Sequence, residues 1–454
     1  MSGTEAAARE AEQRHLRRAA GGAPASDDEV RRRLRALGEP VTRFGEGAGE
    51  RRNRLASLVA QRGDADGALP SLPDWNASAA SAKASAASEE LFFTDGPPAL
   101  ATIRTRLALS SLQRARQRLV RQRSLFQTHG FLIDPDHSSQ ILDQSSSFEA
   151  LRSAVVDSRP ASSVSVSPSS THAAVASWSG SVRIFSLEGF EHVSSAKMGP
   201  DRITGVSWRP HAPSLGSHTG EESPVSFAAG CADGNAGLFT FSGHRRAVLS
   251  GHGDRLARVA FHPDSHLLAT ASFDHTWRLW DVEAEKELLA QEGHSRGVYA
   301  VRFHPDGSLA CSVGLDGHGW VWDLRTGRSI WALQGHHKQA LSVDFAPNGH
   351  DIATAGEDNT IRVWDLRKKE CVYVIPAHTS SISSLTFEPT AGAYLASSSF
   401  DKTIRLWDAR TFKLNRILEG HDNKVMSSDV LSDGSAIVSA SYDRTMKLWA
   451  QSLA

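Results

Sequence analysis

The strongest constraint on this chain is the return of one tryptophan. Trp280 is followed by Trp322, Trp364, Trp407 and Trp449, a step of 42 or 43 residues each time. The unit from Gly251 to Asp281, GHGDRLARVAFHPDSHLLATASFDHTWRLWD, opens on Gly-His and closes on Trp-Asp, and its histidine recurs as His294, His336, His378 and His421. That period with those ends is the signature of a four-stranded β-propeller blade. Each blade has an apolar face towards either neighbour, so none buries its surface alone and only the closed ring is stable.

Two less regular units precede these five. VSVSPSSTHAAVASWSGSVRIF carries the blade pattern with Phe185 at the Trp place and no Gly-His, and a second unit runs from about Ile203 to Phe239 with an insertion near residues 211–224. The count is seven, over residues 150–454. The chain reaches Ala454 too soon after Trp449 for a full outer strand, so the segment Ala150–Asp157 is expected to supply it and leave no open sheet edge.

Within a regular unit, His252, Ser272, Asp274 and Trp280 stand where WD repeats place a hydrogen-bonded tetrad, with the Ser hydroxyl expected between the His ring and the indole. Ser, His and Asp together also suggest a hydrolase. The trio nevertheless recurs as His378, Ser399, Asp401 and as His421, Ser441, Asp443, each beside a Trp, whereas a catalytic triad is single and opens onto a pocket. Gly307, Gly349 and Gly434 mark hairpin corners. The sequence shows no phosphate-binding Gly loop, and the expectation is a protein that is not an enzyme, with no cofactor, no metal and no small-molecule substrate.

Charge separates the two ends of the chain. Residues 1–130 hold 21 Lys+Arg against 15 Asp+Glu, although the whole chain carries −1. A polyanionic partner is therefore expected at the N-terminal part. The three cysteines, Cys231, Cys311 and Cys371, form no CxxC pair, and no apolar run nears the ~20 residues of a membrane helix. A soluble intracellular protein is the reading.

Residues 1–25 read as a disordered arm. Ser26-Asp27-Asp28-Glu29 is a capping box, after which Val30, Leu34 and Leu37 share a helical face and Gly38 with Pro40 ends the helix. A second helix over Arg51–Gln61, with Leu55, Leu58 and Val59 as its stripe, would complete a hairpin over 26–62. Residues 63–90 are an Ala/Ser/Asp linker. Leu91–Pro97 turns into a helix at about Ala99–Phe126 within the segment 91–130, whose seven arginines have no acid among them from Ala99 to Gly130. Leu112, Ala115 and Leu119 share one face and Arg114, Arg118 and Arg121 the other. Such a helix is expected to pack on protein with its apolar stripe and to lie along phosphates with its arginines. The alternative is an Arg-rich solvated helix.

The run Asp27–Glu46, DDEVRRRLRALGEPVTRFGE, followed by Arg51-Arg52-Asn53-Arg54-Leu55, closely resembles the splicing factor motif of the pre-mRNA processing factor 4 family, the WD-repeat subunit of the U4/U6 small nuclear ribonucleoprotein. The strings FFTDGP and SLQRARQRL are also similar to that family. The resemblance implies an all-β seven-bladed WD40 β-propeller preceded by a small α-helical N-terminal region. It further implies a non-catalytic nuclear scaffold of the U4/U6 and U4/U6.U5 particles in pre-mRNA splicing, docking proteins on the propeller, among them the processing factor 3 subunit and a cyclophilin. Small nuclear RNA would be contacted through Arg31, Arg32, Arg33, Arg35, Arg114, Arg118 and Arg121. A bare run such as Arg31–Arg35 is otherwise a solvated helix face. No membrane association and no homo-oligomer are expected.

Propellers bind through loops at their faces. The residue before each tight-turn Asp points to one face, which singles out Trp178 (with Gly180 read at the Asp place), Phe273, Phe400 and Tyr442. Blades six, seven and one are neighbours, so Phe400, Tyr442 and Trp178 are expected to form one aromatic patch for a protein partner, or else to pack into the channel. A competing function, substrate receptor of a cullin ubiquitin ligase, rests on Trp-Asp-x-Arg at Trp322–Arg325, Trp364–Arg367 and Trp407–Arg410, and leaves the N-terminal part without a role.

Overall fold

The computed structural model describes residues 30–31, 34, 51, 54–55, 58, 98–129, 135–210 and 224–451. The chain divides into two compact units, Met1–Ser88 and Glu89–Ala454.

In the first unit, helical Val30 and Leu34 meet Leu55 and Leu58 in a small apolar cluster, with Val30, Leu34 and Leu55 buried. One i, i+4 face therefore closes on an i, i+3 face. The capping box at Ser26, the stops at Gly38 and Gly63, Leu37, Val59, the arm 1–25 and the linker 63–90 lie outside the described residues.

The second unit opens with two helices, α1 (Pro98–His129) and α2 (Pro135–Ser146). The described residues then form seven four-stranded antiparallel sheets. The innermost strand of each sheet packs against that of the next, and Ala161–Val166 of blade one meets Val425–Val430 of blade seven, which closes the ring. Each apolar cluster mixes neighbouring blades: Leu279 of blade three with Trp322 of blade four, and Val164 of blade one with Met446 of blade seven. The insertion 211–223 lies outside the described residues.

Blade seven is completed by Phe148–Val155, which pairs antiparallel with Thr445–Gln451 from Phe148↔Gln451 to Val155↔Thr445. The strand is anchored by buried Phe148, whose ring lies edge-on to Tyr394 at 6.4 Å and packs in one cluster with Trp449 and Ile141 of α2. Asn415 donates to the Leu142 carbonyl (3.1 Å) and to the Ser145 hydroxyl (2.7 Å), holding α2 on blade six. The sequence reading missed α2.

The orientation of α1 is the reverse of the expected one. Leu100, Ile103 and Leu107 are buried with Trp277, Phe303 and Trp322. Further along, the arginine face turns onto the propeller while Leu112 and Leu119 are 60% and 56% exposed. The reason is electrostatic: the hairpin corners of blades three and four present Asp264 and Asp306 beneath the helix, and an unneutralised Arg face finds carboxylates there.

Candidate functional site

Five blades carry a buried polar relay. In blade three the Trp280 indole N–H donates to Thr270 Oγ1 (2.9 Å), the same hydroxyl is 2.7 Å from His252 Nε2, and His252 Nδ1 is 2.7 Å from Asp274. An indole only donates, so the hydroxyl accepts from it and donates to Nε2, which leaves Nδ1–H for the carboxylate. The arrangement repeats through Ser312, Thr354, Ser397 and Ser439. Burial pushes the Asp274 carboxyl up, but hydrogen bonds from His252 and Thr276 outweigh it and hold the group well below the usual carboxylate range.

This corrects the expected tetrad: Thr270, and not Ser272, joins His252 to Trp280, and likewise Ser397 and Ser439 replace Ser399 and Ser441. Ser272 instead donates to the carbonyls of Asp254 and Arg255 and accepts from the Asp274 amide, closing the turn. Thr270 and Ser272 lie two residues apart on one strand face, so both are small hydroxyls on the same side. The sequence did hold the discriminating signal, because blades four and five have Gly314 and Gly356 at the Ser272 place yet keep Ser312 and Thr354.

The residues before the tight turns are fixed on one face by a shared bond. The amides of Trp178, Phe273, Phe400 and Tyr442 donate to the carbonyls of Pro160, Arg255, Ser381 and Lys424, each just ahead of an innermost strand. In blade one, Ser179 rather than Gly180 occupies the Asp place, and Gly180 takes the left-handed position (φ 81°) filled by His275 in blade three. A Cβ at Gly180 would strike the Gly199 carbonyl, so glycine is required there.

Trp178 and Tyr442 are in edge-on contact at 5.3 Å. Phe400 does not join them in ring contact; Lys424 lies over its ring at 4.9 Å. Arg202 similarly covers Trp178 at 5.0 Å, and Arg255 covers Phe273 at 3.9 Å. Where a three-ring patch of Phe400, Tyr442 and Trp178 was expected, the structure has one aromatic pair and two cation–π pairs, and Phe273 beside them is edge-on to Tyr299 at 6.3 Å beneath Arg255. Trp178, Arg202, Arg255, Phe273 and Tyr299 line a cleft of about 460 Å³ at the channel mouth. In its wall Arg258 donates to the carbonyls of Ser162, Thr204 and Met426, tying blade three to blades one, two and seven. The sequence reading missed Arg202, Arg255 and Lys424, although each directly precedes an innermost strand and could be found by aligning the blades there.

The arginines assigned to RNA have different fates. Arg31 is helical and half-buried, and Arg32, Arg33 and Arg35 lie outside the described residues. Arg114 is paired with Asp264, and Arg118 with Asp306 at 2.6 Å and with the Asn348 carbonyl at 2.9 Å. Those two guanidiniums are engaged by the propeller, which corrects their assignment to phosphate, while Arg121 is exposed.

Comparison with known proteins agrees with this architecture. Residues 30–58 match the family described as pre-mRNA processing factor 4 (PRP4) like, and 155–186, 237–281, 285–323, 327–365, 369–408 and 412–450 match the WD domain, G-beta repeat. An uncharacterized WD repeat-containing protein of Schizosaccharomyces pombe is 36% identical over 55% of this chain and 52% of its own length. The U4/U6 small nuclear ribonucleoprotein PRP4 of Saccharomyces cerevisiae is 30% identical over 60% of this chain and 56% of its own. A U4/U6 small nuclear ribonucleoprotein PRP4-like protein of Arabidopsis thaliana is 40% identical over 59% and 39%. The matches thus span about half the length of these relatives or less. The match to the pre-mRNA processing factor 4 like family is confined to residues 30–58, whereas the WD-repeat matches together cover more than half of the chain, so the chain belongs to the WD-repeat family.

Proposed function

We propose that this protein is a non-catalytic scaffold of the U4/U6 small nuclear ribonucleoprotein, acting in the nucleus in pre-mRNA splicing. The observation that carries the reading is the joining of the motif at 30–58 to a seven-bladed propeller in one chain. The ring presents a protein-docking face built on Trp178, Phe273, Phe400 and Tyr442, to which we add Arg202, Arg255 and Lys424. Aromatic rings capped by cations suit a partner that brings carboxylates together with apolar contact. The processing factor 3 subunit and a cyclophilin are the partners proposed. RNA contact is assigned to Arg31, Arg32, Arg33 and Arg35 in the first unit, with Arg121 in the second. Arginines of this kind bind the phosphate backbone without naming bases. The domain limits 26–62 and 150–454 are those proposed for the motif and the propeller.

The cullin-receptor alternative is weakened by geometry. Arg325 forms a two-bond pair with Asp323 in its own hairpin, and Arg367 does so with Asp365. Arg410 reaches Ser138 of α2. The deciding experiment is capture of the tagged full chain from cells, with small nuclear RNA and cullin adaptor both scored. U4 and U6 RNA are expected to be enriched over other small nuclear RNAs. Adaptor without RNA would reverse the assignment.

A further inference from the structure

The outward face of α1 has no role in holding the helix down. The helix is fixed from beneath by Leu100, Ile103 and Leu107 and by the Arg114 and Arg118 pairs, so its far side is presented rigidly. That side carries Leu109, Leu112, Leu119, Val120 and Phe126, which are 68%, 60%, 56%, 62% and 57% exposed. At 3.6 residues per turn all five fall within an arc of about 120°. Isolated exposed leucines are ordinary, but five large apolar side chains along one arc form the kind of patch that marks an interaction surface.

Arg116 and Arg123 lie inside the same arc, two turns apart, and both are exposed. The helix holds no carboxylate from Pro98 to His129 to neutralise them. An occupant must therefore bury apolar surface and bring negative charge at that spacing. A second copy of this helix would set arginine against arginine. RNA would satisfy the arginines and leave the leucines and Phe126 without apolar partners.

We propose that this face docks an acidic amphipathic helix of a partner protein, with the partner's leucines seated among Leu112, Leu119 and Phe126 and its carboxylates meeting Arg116 and Arg123. The geometry is helix against helix, apolar seam inside and ion pairs at its edge. The inference does not depend on which ribonucleoprotein, if any, contains the chain.

The test uses the full chain and three labelled probes, read by fluorescence anisotropy. They are an amphipathic Leu/Glu helical peptide with glutamates two turns apart, its Leu/Lys twin, and an oligouridine RNA. The glutamate peptide should bind about tenfold or more tighter than the lysine twin, as expected when two partly exposed pairs change from attraction to repulsion. Leu112→Ser with Leu119→Ser should abolish that binding, and Arg116→Glu with Arg123→Glu should reverse the preference between the peptides. The four side chains point away from the propeller, so the melting temperature should stay unchanged, and a marked drop would itself refute the outward placement. Equal binding of both peptides, or none, overturns the proposal. RNA binding lost with the arginines but kept in the serine variant would make the face a phosphate site and likewise overturn it.

Discussion

Blades three to seven and blades one and two solve the same packing problem by different means. The regular blades bury a tryptophan and a histidine and satisfy both through one hydroxyl and one carboxylate, as in Thr270 and Asp274. Among the described residues, blade two has no such relay. Its core is Phe227 stacked on Phe239 at 5.3 Å, with Trp208 against Phe227 and Phe241. Blade one puts Phe185 at the tryptophan place and gathers Ser179, Ser181 and Arg183 around Asp157, just beyond the closing strand. Burial pushes the Asp157 carboxyl up, but these partners and the Ser158 amide bring it down to about 2. A buried donor needs an acceptor, while an aromatic ring without one needs only close packing, so losing the indole at Phe185 and Phe239 releases the constraint on the rest of the set. The repeat match is missing over 187–236, within this irregular part.

The largest loss of stability is expected at the clasp, where the strand preceding irregular blade one completes regular blade seven. A chain beginning at Ser158 loses Phe148 and exposes the edge of Thr445–Gln451. Removing the phenylalanine alone costs about 3–5 kcal/mol, so the loss should exceed about 5 kcal/mol. Calorimetry should find no cooperative transition near that of the full chain; an unchanged melting temperature would show that the clasp is dispensable.

The relay itself gives the next largest effect. Thr270→Val keeps the shape and strands both the His252 ring and the Trp280 indole, for about 2–4 kcal/mol. Ser272→Ala removes a turn bond and should cost about 1 kcal/mol. Denaturant titration of the pair tests the corrected assignment, and equal losses would reject it. The contribution of the relay carboxylates is also pH-dependent. Asp274, Asp358, Asp401 and Asp443 are all held below the unfolded value of 3.8, so their stabilisation is present above that pH and disappears as pH falls towards the folded values. Blade two, held by rings, should show no such acid sensitivity in amide exchange.

These cases also show what could be read in the amino-acid order. The ring and its blade count were legible because a fixed period repeats the same Gly-His and Trp-Asp ends, and the closing strand because a ring leaves no sheet edge open. The rung of the relay was legible only by aligning blades, since Thr270 and Ser272 share a face. The facing of α1 was not legible. A helix with leucines on one side and arginines on the other is ambiguous until the surface beneath it is known, and Asp264 and Asp306 lie more than a hundred residues away in the chain. Likewise, the covering of Trp178 by Arg202 joins two blades and has no local sign.

The smallest effect has the opposite sign. The fifth residue of each of several innermost strands accepts from an amide of the next blade: Ser165 from Trp208 and Ser207 from Phe261 in the irregular blades, Asp344 from Phe387 and Asp429 from Val166 in regular ones. The same bond is thus made by a neutral hydroxyl in one region and a carboxylate in the other. Burial pushes the Asp344 carboxyl up to about 6 although Arg302 faces it and opposes the shift, and neighbouring Asp429 adds to the rise. A folded value raised above the unfolded 3.8 means that the contribution of Asp344 is fully present below that pH and is lost as pH climbs through about 6. Asp344→Asn keeps an acceptor for the Phe387 amide and removes the buried charge, so it should stabilise the ring by about 1–3 kcal/mol at pH 7. The gain should shrink to nothing below pH 3.8, where both side chains are neutral. Urea titrations of the two proteins at pH 7 and pH 3.5 measure the difference directly. Destabilisation at pH 7 would mean that the attraction to Arg302 outweighs burial, and that the regular blades gain from the charge that blades one and two do without.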